Sequence, residues 1–144
     1  MLISRRAVIV SHSAWGFVSL SKRALAADEL NFNELYTTGV ELTPKAKSLA
    51  GKEVTMSGFM APPLKAEADF FVLTRVPMAV CPFCDSQMDW PDDIVLVKLD
   101  DIVAFTPFNR RILVTGRLEV GFVKDGETGF VSFVRLVSAS YGQV

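Results

Sequence analysis

Two stretches, KEVTMSGFM at residues 52–60 and RILVTGRLEV at residues 111–120, alternate apolar and polar residues and carry a glycine near the middle. The first reads as a strand from Glu53 to Met60, with Val54 and Met56 on one face and Thr55 and Ser57 on the other. In the second, Ile112, Val114, Leu118 and Val120 oppose Arg111, Thr115, Arg117 and Glu119. A period of two is the mark of a half-buried strand, and a mid-strand glycine marks a bulge or a sharp bend. A chain with Gly58 and Gly116 so placed must coil its sheet strongly.

The rest of the chain supplies partners for these strands. FFVLTRV, residues 70–76, is aromatic and β-branched, and IVLVKL, residues 94–99, reads as a strand buried on both faces. Pro62-Pro63 stops the first strand, Lys124-Asp125-Gly126 signals a turn, and Gly129–Val137 carries the last strand. Before them, Thr43-Pro44 opens a helix of about two turns that Gly51 ends. Residues 28–40 form an arm with Phe32, Leu35 and Tyr36 as its anchors. The expected class is all-β: a small five-stranded OB-like barrel with a short N-terminal helix, spanning residues 43–144 after an arm at 27–42. An open meander or small sandwich is the alternative.

Residues 1–26 are different in kind. They hold Arg5, Arg6, Lys22 and Arg23, no acid, and an apolar run from Ala7 to Leu20. Ala24-Leu25-Ala26 supplies the small-x-small pattern of a signal peptidase site. The run is shorter than the roughly 20 apolar residues a bilayer span needs, so no permanent membrane anchor is expected. Ser4-Arg5-Arg6 resembles a twin-arginine export signal, which favours that route over general secretion and predicts a bacterial periplasmic protein.

Export alters the charge balance. Residues 1–26 take four of the 15 basic residues and none of the 16 acids, leaving 118 residues with net charge −5. An acidic domain is a poor match for a polyanion, so no nucleic acid is expected as partner. Arg110, Arg111, Arg117 and Arg135 are read as solvated strand edges in preference to a basic patch. The one histidine, His12, leaves with the leader, which excludes Ser-His-Asp and Cys-His catalysis and histidine-rich zinc sites from the mature chain.

What remains for chemistry is CPFCDSQMDWPDD, residues 81–93, on the long connection after the second expected strand. Loops on a rigid barrel are where sites usually sit. Cys81 and Cys84, the only two cysteines, permit three readings. In an oxidising compartment they pair as a disulfide, though so short a loop gains little closure entropy. As thiolates they chelate a metal, zinc with Asp85, Asp89, Asp92 or Asp93 or copper with Met88 completing the set. As a CxxC pair they exchange disulfides, with Cys81 attacking, but the βαβ setting that makes such a pair persuasive is missing. Phe83 and Trp90 are candidates for a ligand groove beside them, and an OB-type oligonucleotide or glycan surface is a further alternative. Phe105, Phe108, Phe122, Phe130 and Phe133 are read as core residues.

LAGKEVTMSGFMAPP, FFVLTRVPMAVCPFC and IVLVKL, taken in this order over residues 49–137, resemble a family of small exported bacterial OB-like proteins with no established activity. Genes of that family often lie beside ABC transporters, some concerned with metal supply. The resemblance therefore implies a non-enzymatic accessory of an envelope transport system, with ABC transporter components as partners. Many members carry a histidine and a proline run after the cysteine, where this chain has Cys84-Asp85 and a single Pro91.

Overall fold

The structure is a computed structural model, and it describes residues 26–63, 67–79, 93–126 and 128–144. Six strands form its framework: β1 (Asp28–Glu29), β2 (Glu53–Met60), β3 (Phe70–Thr74), β4 (Ile94–Lys98), β5 (Arg111–Lys124) and β6 (Val131–Gln143). The helical content is a 3-10 turn at Phe32–Glu34 and the helix α1 at Pro44–Leu49. The class is all-β, as the alternating sequence predicts.

Pairing closes the sheet on itself. β2 is antiparallel to β3, β3 to β4 and β5 to β6, β4 runs parallel to β6, and β5 returns antiparallel to β2 through seven residue pairs from Glu53↔Arg117 to Phe59↔Arg111. The ring β2-β3-β4-β6-β5 has the Greek-key order of an OB-type barrel. β1 adds to the free edge of β2 in parallel, with Asp28 opposite Val54. A closed ring leaves few backbone groups for edge-to-edge association.

The alternation seen in the sequence sorts residues as expected. Val54, Met56, Ile112, Val114 and Leu118 point inward and are buried, joined by Phe71, Leu73, Val95, Val97, Val134 and Leu136. The arm belongs to the same core: Leu30, Phe32, Leu35 and Leu42 pack into it beside Ala46 and Leu49 of α1. Thr43 caps that helix, its hydroxyl accepting from Ala46 N–H (3.0 Å) and donating to Glu34 O (2.5 Å). Two apolar arm residues, Leu30 and Leu42, were not evident as anchors because neither sits in a periodic run.

The two mid-strand glycines do different things. At Gly116 the ladder is irregular: Thr115 pairs with Ser140 and Arg117 with Val137, so Ser138 and Ala139 face one residue. Ser138 takes the left-handed backbone (φ 46°), and a Cβ on Gly116 would lie 2.9 Å from Ala139 Cβ. This is a β-bulge. Gly58, by contrast, keeps its register with Ile112. It is needed for close approach, because a Cβ there would lie 2.6 Å from the carbonyl oxygen of Thr74 on β3.

A second irregularity bends β5 where Gly121 (φ 110°) and Phe122 face Phe133. Arg135 holds it. The side chain is 8% exposed, donates from Nη1 to Gly121 O (2.8 Å) and to Ser132, and places Nε 3.5 Å from Glu119 Oε2. The expectation of four solvated arginines is thus corrected for Arg135, which is buried and bonded to Gly121 O and Ser132.

Candidate functional site

The connection that carries the cysteines is rooted on one side of the ring. β3 and β4 pair along their whole length, ending at Thr74↔Ile94, so the chain leaves and re-enters the barrel at one point. Past that pair, Arg75 N–H donates to Asp93 O (3.0 Å) and closes the neck. Thr74, fully buried, donates its hydroxyl to Val76 O (2.7 Å) and lies 3.2 Å from Phe59 O. The neck is fixed to β2 as well, since Phe59 pairs with Thr74 on one side and with Arg111 on the other. Arg111 covers the Phe59 ring, its guanidinium carbon 4.9 Å from the centroid. Cys81, Phe83, Cys84, Asp85, Met88, Asp89 and Trp90 lie outside the described residues.

Beside the neck, the outer face of β3 and β4 is apolar. Phe70, Val72, Ile94 and Leu96 form a second buried cluster with Ala61 and Ala68. Tyr36, Phe130 and Phe133 pack on it, with Phe130 stacked on Phe70 at 6.4 Å and Tyr36 on Phe133 at 6.3 Å. β3 and β4 are therefore buried on both faces, which is why their sequences do not alternate. The chain's own aromatic side chains occupy the face that OB-type barrels commonly use for oligonucleotides and oligosaccharides.

A cleft of about 200 Å³ opens between the end of β2, the start of β3 and the segment joining β4 to β5. Met60, Phe70, Phe71 and Val103 line it, with Glu67 and Phe105 also on its wall. The segment is pinned at several points: Leu99 N–H to Asp69 O (2.8 Å), Val103 N–H to Ala68 O (2.9 Å) and Thr106 N–H to Met60 Sδ (3.4 Å). Tyr141 adds a short hydrogen bond from its hydroxyl to Ala104 O. Partial burial pushes the Tyr141 phenol above its ordinary pKa, because the phenolate would lose solvation there.

The expectation that the phenylalanines plug the core fails for part of the set. Phe130 and Phe133 are half-buried, whereas Phe105 (58% exposed), Phe108 (37%) and Phe122 (63%) face outward. Nothing in the residues 99–110 signalled the cleft, because its walls come from strands distant in sequence. The available hint was Ile102, Phe105 and Phe108 in a stretch with neither helical nor strand period.

Among the described residues no three Cys, His, Asp or Glu side chains gather as metal ligands, and no helix is long and apolar enough to cross a membrane. Fold and neck together define a class: an all-β barrel of OB order with a cysteine-bearing connection between the second and third strands of its ring. No family model and no curated protein matches the chain. Among solved structures, it is similar to a DUF3299 family protein from Pseudomonas aeruginosa PAO1, with a TM-score of 0.52 at 16% identity, covering 83% of this chain and 97% of that one. The likeness is one of fold, to a member of an uncharacterised bacterial family.

Proposed function

We propose that the chain is an exported, non-enzymatic accessory of an envelope transport or metal-supply system, and that Cys81 and Cys84 offer a thiolate pair to a soft metal ion. The observation that carries this reading is the neck: Thr74, Arg75 and Asp93 tie both ends of the connection to one point of a rigid barrel. A binding loop needs that kind of support, since ligands held on a fixed frame lose less freedom on binding. The donor set fits zinc or copper(I), with two thiolates, the Met88 thioether and the Asp85 and Asp89 carboxylates all in one short stretch. Envelope ABC transporter components are the partners the reading requires.

Oligonucleotide binding fits less well, because Tyr36, Phe130 and Phe133 cover the apolar face of β3 and β4 and Arg135 is committed to Gly121. The test is elemental analysis with thiol titration on the protein purified from cytoplasm and from periplasm. Metal at one equivalent, lost in Cys81→Ser, supports the reading. A Cys81–Cys84 disulfide without metal in both samples rejects it.

A further inference from the structure

The cleft beside Phe105 has a size that decides what it can take. Small-molecule sites usually enclose about 300–1,000 Å³; this one offers about 200 Å³. That is room for one large side chain and too little for a cofactor. Its walls are apolar, from Met60, Phe70, Phe71 and Val103, and Phe105 (58% exposed) stands on its wall, while Ile102 (64% exposed) directly precedes Val103 in the chain. The segment bearing these two residues is tied down by the bonds of Val103, Ala104 and Thr106, so its apolar side chains are held outward on a fixed backbone. A one-residue apolar pocket walled by an exposed phenylalanine on a pinned segment, with an exposed isoleucine three positions before it, has the anatomy of an interface anchor site.

Charge selects the occupant. Glu67 stands on the cleft wall, Asp69 is bonded through its backbone to Leu99, and Asp100-Asp101 directly precede Ile102. Among the described residues of these segments the one opposing ammonium is Lys98, which lies 4.0 Å from Asp69 with both side chains half exposed. We propose that this cleft is a docking site for a basic polypeptide segment of a partner protein, which inserts one apolar side chain beside Phe105 and sets lysine or arginine against Glu67 and the neighbouring carboxylates. The carboxylates steer and orient the segment; the apolar anchor supplies most of the affinity. The inference does not depend on the cysteines, and the two proposals can fail separately.

A displayed library of random ten-residue peptides, selected on immobilised full-length protein, tests it. The expected result is enrichment of peptides with a bulky apolar residue within two positions of lysine or arginine. Phe105→Asp and Ile102→Asp, both at exposed positions, should each weaken the enriched peptides by about tenfold or more, the usual cost of losing an anchor contact. Asp100→Asn/Asp101→Asn should weaken them less and flatten the salt dependence. Thermal melts check that each variant is folded. No enrichment, enrichment of acidic or uncharged peptides, or binding indifferent to both Phe105→Asp and Ile102→Asp overturns the proposal.

Discussion

Gly58→Ala is the substitution that tests the ring most severely. An added Cβ would lie 2.6 Å from Thr74 O and 2.9 Å from Leu73 Cγ. Ordinary carbon-oxygen contacts begin near 3.3 Å, so β3 must retreat by about 0.7 Å from a β2 that is held in register by Phe59↔Thr74 and Gly58↔Ile112. The neighbour is backbone and cannot turn aside. Overpacking of this kind costs about 1–3 kcal/mol, against a gain of about 0.4–1 kcal/mol from stiffening the unfolded chain. The net expectation is a loss of about 1.5 kcal/mol. With a urea slope of about 1.5 kcal/mol/M, the midpoint falls by about 1 M. Gly142→Ala is the control: it too lies in a strand, has no positive φ, and a Cβ there meets nothing within 4 Å. Its midpoint should stay level or rise. Equal midpoints for the parent and Gly58→Ala would refute the close approach of β2 and β3, and with it the geometry of the neck.

Arg135→Lys should lower stability by about 1–3 kcal/mol in the same urea assay, because an ammonium cannot serve Gly121 O, Ser132 and Glu119 together as the guanidinium does. Thr43→Ala should cost about 1 kcal/mol through loss of the α1 cap. Tyr141 should ionise above the ordinary tyrosine value of 10.0 in a spectrophotometric titration, with Tyr141→Phe removing the late phase. Since its folded pKa is raised, its contribution to stability is complete below the unfolded value and is lost as pH climbs from there through the folded one. Glu34 shifts the other way: hydrogen bonds from Lys45 and Asn31 lower its pKa, so its contribution holds above the unfolded value of 4.5 and fades as pH falls through the folded one. A carbon NMR titration of the Glu34 carboxyl checks the direction.

Local order was legible and long-range order was not. β2 could be bounded to the residue because Pro62-Pro63 and a clean alternation frame it. β5 and β6 run on beyond their expected ends, to Lys124 and Gln143, because the bulges at Gly116 and Gly121 shift which residues face inward and break the period. The parallel pairing of β4 with β6 has no local signal; it follows from closing the ring. Arg135 and Phe105 misled for one reason: a side chain's polarity is weak evidence of burial where the backbone bends or leaves the sheet. The neck was readable only as a long connection between two apolar strands, and its fastening through Thr74 and Asp93 depends on β2 lying alongside.

The central claim is that the barrel presents Cys81 and Cys84 to a metal. Reduced full-length protein, titrated in turn with zinc and with copper(I) under anaerobic conditions while thiolate-to-metal charge-transfer absorption is followed, tests it directly. A break at one ion per chain for either metal, abolished in Cys81→Ser and in Cys84→Ser, is the predicted result. A featureless titration with both metals, from protein whose two thiols are confirmed reduced, would contradict it.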